Sequence, residues 1–132
     1  MAVYVTVSGS HGGAWGLTQL RAAIRAAGHE LVATTLTGLG ERVHLARPDI
    51  NLDTHIQDVV NVLSYEDLQQ AVLVGSSYGG MVITGVADRV PERLAHVVYV
   101  DAMVPRDGEA VADLFPERRE QWVAIARAQG DG

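Results

Sequence analysis

Apolar positions along the first hundred residues follow two rhythms in alternation. Val3 to Val7 (VYVTV) is a short β-branched and aromatic run that ends in the glycine-rich SGSHGG, the pattern of a buried strand feeding a tight loop. From Leu17 the spacing turns helical, with Leu20, Ala23, Ile24 and Ala27 on one stripe and Gly28 where a left-handed C-cap residue sits. Leu31 to Thr35 (LVATT) predicts a second strand. The long polar stretch TGLGERVHLARPDINLD follows, and its Gly38, Gly40 and Pro48 predict a loop without regular structure. A loop of this length is usually functional.

Asp53 or Thr54 is placed to cap the next helix, whose Ile56, Val59, Val60 and Leu63 form one continuous apolar stripe. Ala71 to Val74 predicts a third strand. Beyond the following glycines, Met81, Val82, Ile83 and Val86 predict a helix that runs to Pro91, and Leu94 to Val100 (LAHVVYV) a fourth strand ending at Asp101. Strands and helices in this order argue for βαβ units, a parallel sheet and the α/β fold class. After Pro105 the rhythm changes: the remaining residues are helix-forming and charged, and Pro116 divides them into two short helices.

Composition narrows the class. With 132 residues, 48% of them hydrophobic and 20% charged, the chain has the size and make-up of one globular domain. Ten Lys plus Arg against sixteen Asp plus Glu give a net charge of −6, with no basic run to follow a phosphate backbone, so nucleic acid is not an expected partner. Cysteine is absent, which excludes disulfides and thiolate metal sites. MAVYVTVSGS has neither a basic n-region nor a long apolar core, and no run approaches the ~20 apolar residues of a bilayer span. The expectation is a cytoplasmic protein with no membrane association.

The stretch VLVGSSYGG carries the chemistry. Gly75-Ser76-Ser77-Tyr78-Gly79 fits G-x-S-x-G only with Ser77 at the centre. A strand that runs directly into a helix through this turn strains the central residue and projects its side chain above the sheet edge. Gly75 and Gly79 leave room for the turn, the helix amides point at the serine, and the Tyr78 N–H is placed to donate to a developing oxyanion. The turn lacks the Lys of a phosphate-binding loop, and strand one is not followed by G-x-G-x-x-G, so no nucleotide cofactor is expected.

From Val3 to about Leu114 the chain resembles the N-terminal part of an α/β-hydrolase of the branch that holds methylesterases, hydroxynitrile lyases and small bacterial esterases. The resemblance rests on LTGLGERVHL, LDTHIQDVVNVL, VLVGSSYGGMVITGVADRVPERL and VVYVDAMVP, in that order. It implies a sheet of about four strands in the order two-one-three-four. It also implies a hydrolase core over residues 1–105 and the start of a helical cap over 106–132. Ser77 becomes the nucleophile, Tyr78 one oxyanion amide, and Ser10, after Gly9, the other. The implied substrate is a small-molecule ester attacked by acyl transfer. A hydroxynitrile-lyase-like reaction and a non-catalytic partial domain are the alternatives. Two departures stand out: Ser8-Gly9 replaces the usual His-Gly after strand one, and Ser76 replaces the usual His before the nucleophile.

A serine needs a base and an orienting acid. In this family both follow the cap, so the resemblance implies that they lie in sequence beyond these residues. The same reasoning leaves strand four as an apolar edge, predicting self-association or pairing with a further C-terminal segment. Among the five histidines, His11 lies on the oxyanion loop and His44 on the long loop, which makes both candidates for the substrate pocket. His29 reads as solvated, and His55 and His96 as structural. Asp101 reads as the cap of the turn VDAMVP. Asp49, Asp53, His55 and Asp58 read as a solvated helix start without a metal signature. Trp15 and Tyr78 are candidate substrate-facing aromatics, and Trp122 packs at helical spacing from Ile125.

Overall fold

The computed structural model of the chain describes residues 1–130. Its elements are β1 (Val3–Val7), α1 (Thr18–Ala26), β2 (Glu30–Thr34), α2 (Leu52–Tyr65), β3 (Ala71–Ser77), α3 (Gly79–Arg89), β4 (Leu94–Ala102), α4 (Val111–Leu114) and α5 (Arg119–Gln129). The strands form one parallel sheet in the order β2-β1-β3-β4. Val32, Val5, Leu73 and Val97 line up across all four strands, so one register row runs the width of the sheet. On that face α2 and α3 close the core over Val5, Val7, Leu73, Ile56, Val59, Leu63, Val82, Ile83 and Val86. Each such side chain, fully buried, contributes roughly 1.5–3 kcal/mol.

Strand alternation sends the neighbouring residues to the other face, where Val98 and Val100 of β4 remain 39% and 52% exposed. Tyr99 points the opposite way: its hydroxyl lies 2.8 Å from the Thr84 hydroxyl on α3. None of the helices among the described residues is long and apolar enough to cross a membrane.

Local signals explain most boundaries. Gly28 has φ +83°, and the bonds from its N–H to the Arg25 carbonyl and from the His29 N–H to the Ile24 carbonyl close α1 in the manner of a glycine-ended helix. His29 is half-buried rather than free in solvent: its Nδ1 accepts from the Ala2 N–H at 3.1 Å, and its ring meets Tyr4 edge-on.

Elsewhere the chain departs from the expectation. A 3-10 turn over Ala14–Leu17 precedes α1, which begins at Thr18. The cap of α2 is Asn51 rather than Asp53 or Thr54. The Asn51 side chain accepts from the Thr54 N–H at 3.1 Å while the Thr54 hydroxyl accepts from the Asn51 N–H, a reciprocal pair in which Thr54 is the third helical residue. The long loop is not wholly irregular, since Gly40–Leu45 forms 3-10 turns that meet at a kink at Arg42. Strand three runs past Val74 to Ser77, and strand four past Val100 to Ala102. Pro116 does divide two helices, opening a 3-10 turn between α4 and α5. Trp122 packs edge-on against Phe115, with ring centroids 5.7 Å apart, and Ile125 stays exposed.

Candidate active site

Ser77 ends β3 one residue before Tyr78, which caps α3. Its φ of +50° lies in the left-handed region that non-glycine residues avoid, a conformation that costs of order 1–3 kcal/mol and persists only where surrounding structure enforces it. The enforcement is visible on both sides. A Cβ on Gly75 would lie 2.7 Å from the Gly79 carbonyl oxygen, and one on Gly79 would run into the Val7 carbonyl. Only glycine allows α3 to start this close to the end of β1. The Met103 N–H donates to the Ser77 carbonyl at 3.0 Å and ties the turn to the end of β4.

The two serines separate cleanly. Ser76 lines a recess of about 210 Å³ on the α1 face with Leu17, Leu20, Val74 and Val100. Ser77 is exposed and opens on a different cavity of about 340 Å³, shared with Asp101, Ala102, Met103, Val104, Leu114 and Phe115. Asp101 is also left-handed, with φ +46°, so two strained residues end adjacent strands at the mouth of one cavity. Asp101 therefore lines this cavity one residue before the end of β4.

The loop after β1 reaches the same point. A Cβ on Gly9 would lie 3.1 Å from the Ser77 Cβ, so the backbone at Gly9 passes directly over the serine. Ser10 and His11 follow at exposed positions in a turn closed by the Gly12 N–H donating to the Gly9 carbonyl at 3.1 Å. Thr35 joins this loop to the next. Its hydroxyl accepts from the Ala14 N–H at 2.8 Å and donates to Glu41 at 2.7 Å, and its carbonyl accepts from Arg42. The Thr35 hydroxyl bond holds the Glu41 carboxyl below its ordinary 4.5. His44 is exposed on the 3-10 turns of Gly40–Leu45. Among the described residues, neither His11 nor His44 lines the Ser77 cavity. His96 lines a separate recess beside Ala87, Pro91, Leu94, Ala95 and Val97. No group of three His, Asp or Glu side chains among the described residues converges as a metal site.

One arrangement joins residues far apart in the chain. His55 and Asp58 are not solvated. His55 is buried, with Nδ1 2.8 Å from the Tyr78 hydroxyl and Nε2 2.8 Å from the Thr37 carbonyl. Asp58 accepts from both the Thr37 N–H and its hydroxyl at 2.7 Å. The Tyr78 ring meets His55 edge-on and packs, partly buried, against the core. Burial pushes the Tyr78 phenol up to about 12. The sequence did hold a trace of this, because His55 and Asp58 are three residues apart and so share a face of α2 with Ile56 and Val59 nearby.

A parallel sheet flanked by helices, with a strained serine in a sharp turn between a strand and a helix at the point where strand order reverses, defines an α/β fold with its turn at the sheet's switch point. The chain belongs to the alpha/beta hydrolase family, whose model matches residues 5–131. It is 45% identical over 117 residues to a carbendazim hydrolyzing esterase of Nocardioides sp. (strain SG-4G), which covers 89% of this chain and 48% of that protein. An alpha-hydroxynitrile lyase of Arabidopsis thaliana is 27% identical over 103 residues, 77% of this chain and 40% of its own. Among solved structures, an extracellular alpha/beta-hydrolase from a Paenibacillus species, described as sharing structural and functional homology with tobacco Salicylic Acid Binding Protein 2, superposes with a TM-score of 0.88. It is 29% identical, over 97% of this chain and 52% of that one. The chain thus spans about half the length of these relatives, or less.

Proposed function

We propose that this chain carries the nucleophile and oxyanion half of a serine esterase. Ser77 Oγ attacks the ester carbonyl, and its proton passes to a general base. The amide N–H groups of Tyr78 and Ser10 hold the oxyanion, the alcohol leaves with a proton, and water releases the acid from the acyl-serine. The observation that carries this reading is Ser77 itself: a left-handed residue wedged between Gly75 and Gly79, exposed to a cavity, with the Gly9 backbone lying over it. The base and its orienting acid are assigned to sequence outside residues 1–132, a reading supported by the absence of any histidine from the cavity lining among the described residues. Residues 106–130, which contribute Leu114 and Phe115 to that lining, are assigned to the start of a cap. His11 and His44 are assigned to the substrate rim, since Thr35 binds their two loops together.

The test is covalent labelling by a fluorophosphonate and turnover of p-nitrophenyl esters and carbendazim, in the protein that carries this chain, with Ser77→Ala as control. Labelling maps to Ser77, and turnover falls by about 10³-fold or more in the variant. Cyanohydrin cleavage without ester turnover would favour the lyase-like alternative. No labelling and no turnover would favour a non-catalytic domain.

A further inference from the structure

We propose that His55 is a positioning residue for this reaction: through the Tyr78 side chain it fixes the direction of the first amide after Ser77. The inference rests on Ser77 being the nucleophile. Hydrogen-bond chemistry decides the protonation pattern. The Thr37 carbonyl can only accept, so His55 Nε2, 2.8 Å away, carries hydrogen. In the neutral ring Nδ1 is then a bare acceptor, and the Tyr78 hydroxyl, 2.8 Å away, donates to it. Thr37 is itself held by two bonds to Asp58 on α2, one from its N–H and one from its hydroxyl.

The result is one chain of bonds, Asp58 to Thr37 to His55 to Tyr78, in which the buried imidazole satisfies both of its ring nitrogens. Asp58 and His55 sit on α2, a helix anchored in the core by Ile56, Val59 and Leu63. Tyr78 opens α3 and follows the strained Ser77. A ring clamped at its far end restricts the torsions at its own Cα, which set where the Tyr78 N–H points. Loss of an oxyanion donor costs about 10²–10³ in rate, so loosening one has a smaller effect of the same kind, felt in the transition state and not in ground-state binding.

The experiment compares His55→Leu, His55→Gln, Tyr78→Phe and the His55→Leu/Tyr78→Phe pair, using p-nitrophenyl ester kinetics beside thermal unfolding. His55→Leu lowers kcat about 10–100-fold with KM within about threefold of wild type. His55→Gln, whose planar amide offers both an acceptor and a donor, recovers most of kcat. The pair is no slower than the worse single variant, because both cut the same chain. Tyr78→Phe keeps the His55–Thr37 bond, so it carries the test even where His55→Leu does not fold. A folded His55→Leu or Tyr78→Phe with wild-type kcat would overturn the proposal. So would losses that track the unfolding temperature and that Gln fails to rescue. Should Ser77→Ala leave turnover intact, the nucleophile assignment fails instead, and the two failures are told apart.

Discussion

Tyr78 shows how one residue serves two purposes at once. Its N–H follows the strained Ser77, while its ring is packed on the core and its hydroxyl is given to His55. Burial raises the phenol from 10.0 to about 12, so the hydroxyl keeps its proton, and its donor role, throughout the neutral and mildly alkaline range. The sign of the linkage follows. A folded pKa above the unfolded value means that the folded state binds more protons between the two. The contribution to stability is therefore complete below pH 10 and is lost as pH rises toward about 12. The difference in tyrosinate absorbance between wild type and Tyr78→Phe isolates this group: it rises near pH 12, and wild type loses more stability than the variant over that interval. A rise centred at pH 10 in the folded protein would show the phenol to be solvated.

At the scale of elements, the turn between β3 and α3 is set by backbone approach. Gly79→Ala replaces a poor helix former by the best one, which on propensity alone gains at most about 1 kcal/mol at this first helical position. The new Cβ meets the Val7 carbonyl and comes within 3.1 Å of the Ser8 carbonyl oxygen, neither of which is a flexible side chain. Overpacking of this kind costs about 1–3 kcal/mol or more, so steric conflict outweighs propensity, and the urea midpoint falls with the slope unchanged. A raised midpoint would mean that β1 and α3 are not held in this contact.

The same elements show what was legible in advance. The apolar runs of β1 and β3 and the glycine spacing around Ser77 are local signals that locate the strands and the sharp turn, whereas the order of the strands in the sheet follows from the resemblance to the α/β-hydrolases. Asn51 is the cap although Asp53 and Thr54 carry the same capping chemistry, because Thr54 is the far member of a reciprocal cap. His55 and Asp58 looked like a solvated polar helix start because their partners, Tyr78 and Thr37, lie 23 and 21 residues away in the chain. Their three-residue spacing places both on one face of α2, but long-range hydrogen bonds leave no periodic trace, so the partners of those polar groups emerge only in the folded chain. The same applies to Asp101, whose left-handed backbone and shared cavity with Ser77 depend on how β4 ends beside β3.

For the whole molecule, the outer side of β4 is an apolar strand edge at one end of the sheet. β4 pairs with β3 along one side, and among the described residues nothing pairs with the other, although the strand runs nine residues and leaves Val98 and Val100 substantially exposed. Two terms favour covering it. Unpaired N–H and C=O groups along an edge invite another strand, and apolar area on its face is worth about 25 cal/mol per Å² removed from water. We infer that a strand from a second copy, or from further sequence of the same protein, occupies this edge. The residues 1–132 alone, prepared as a free polypeptide, then run on size exclusion with light scattering as dimers or larger species. Val98→Lys with Val100→Lys shifts them toward monomer, because charges along an edge oppose strand addition. Light scattering that finds a stable monomer for the unsubstituted chain at micromolar concentration would remove the argument. The edge would then be tolerated in water, and pairing at β4 would not be needed to hold Ser77 and Asp101 at the cavity mouth.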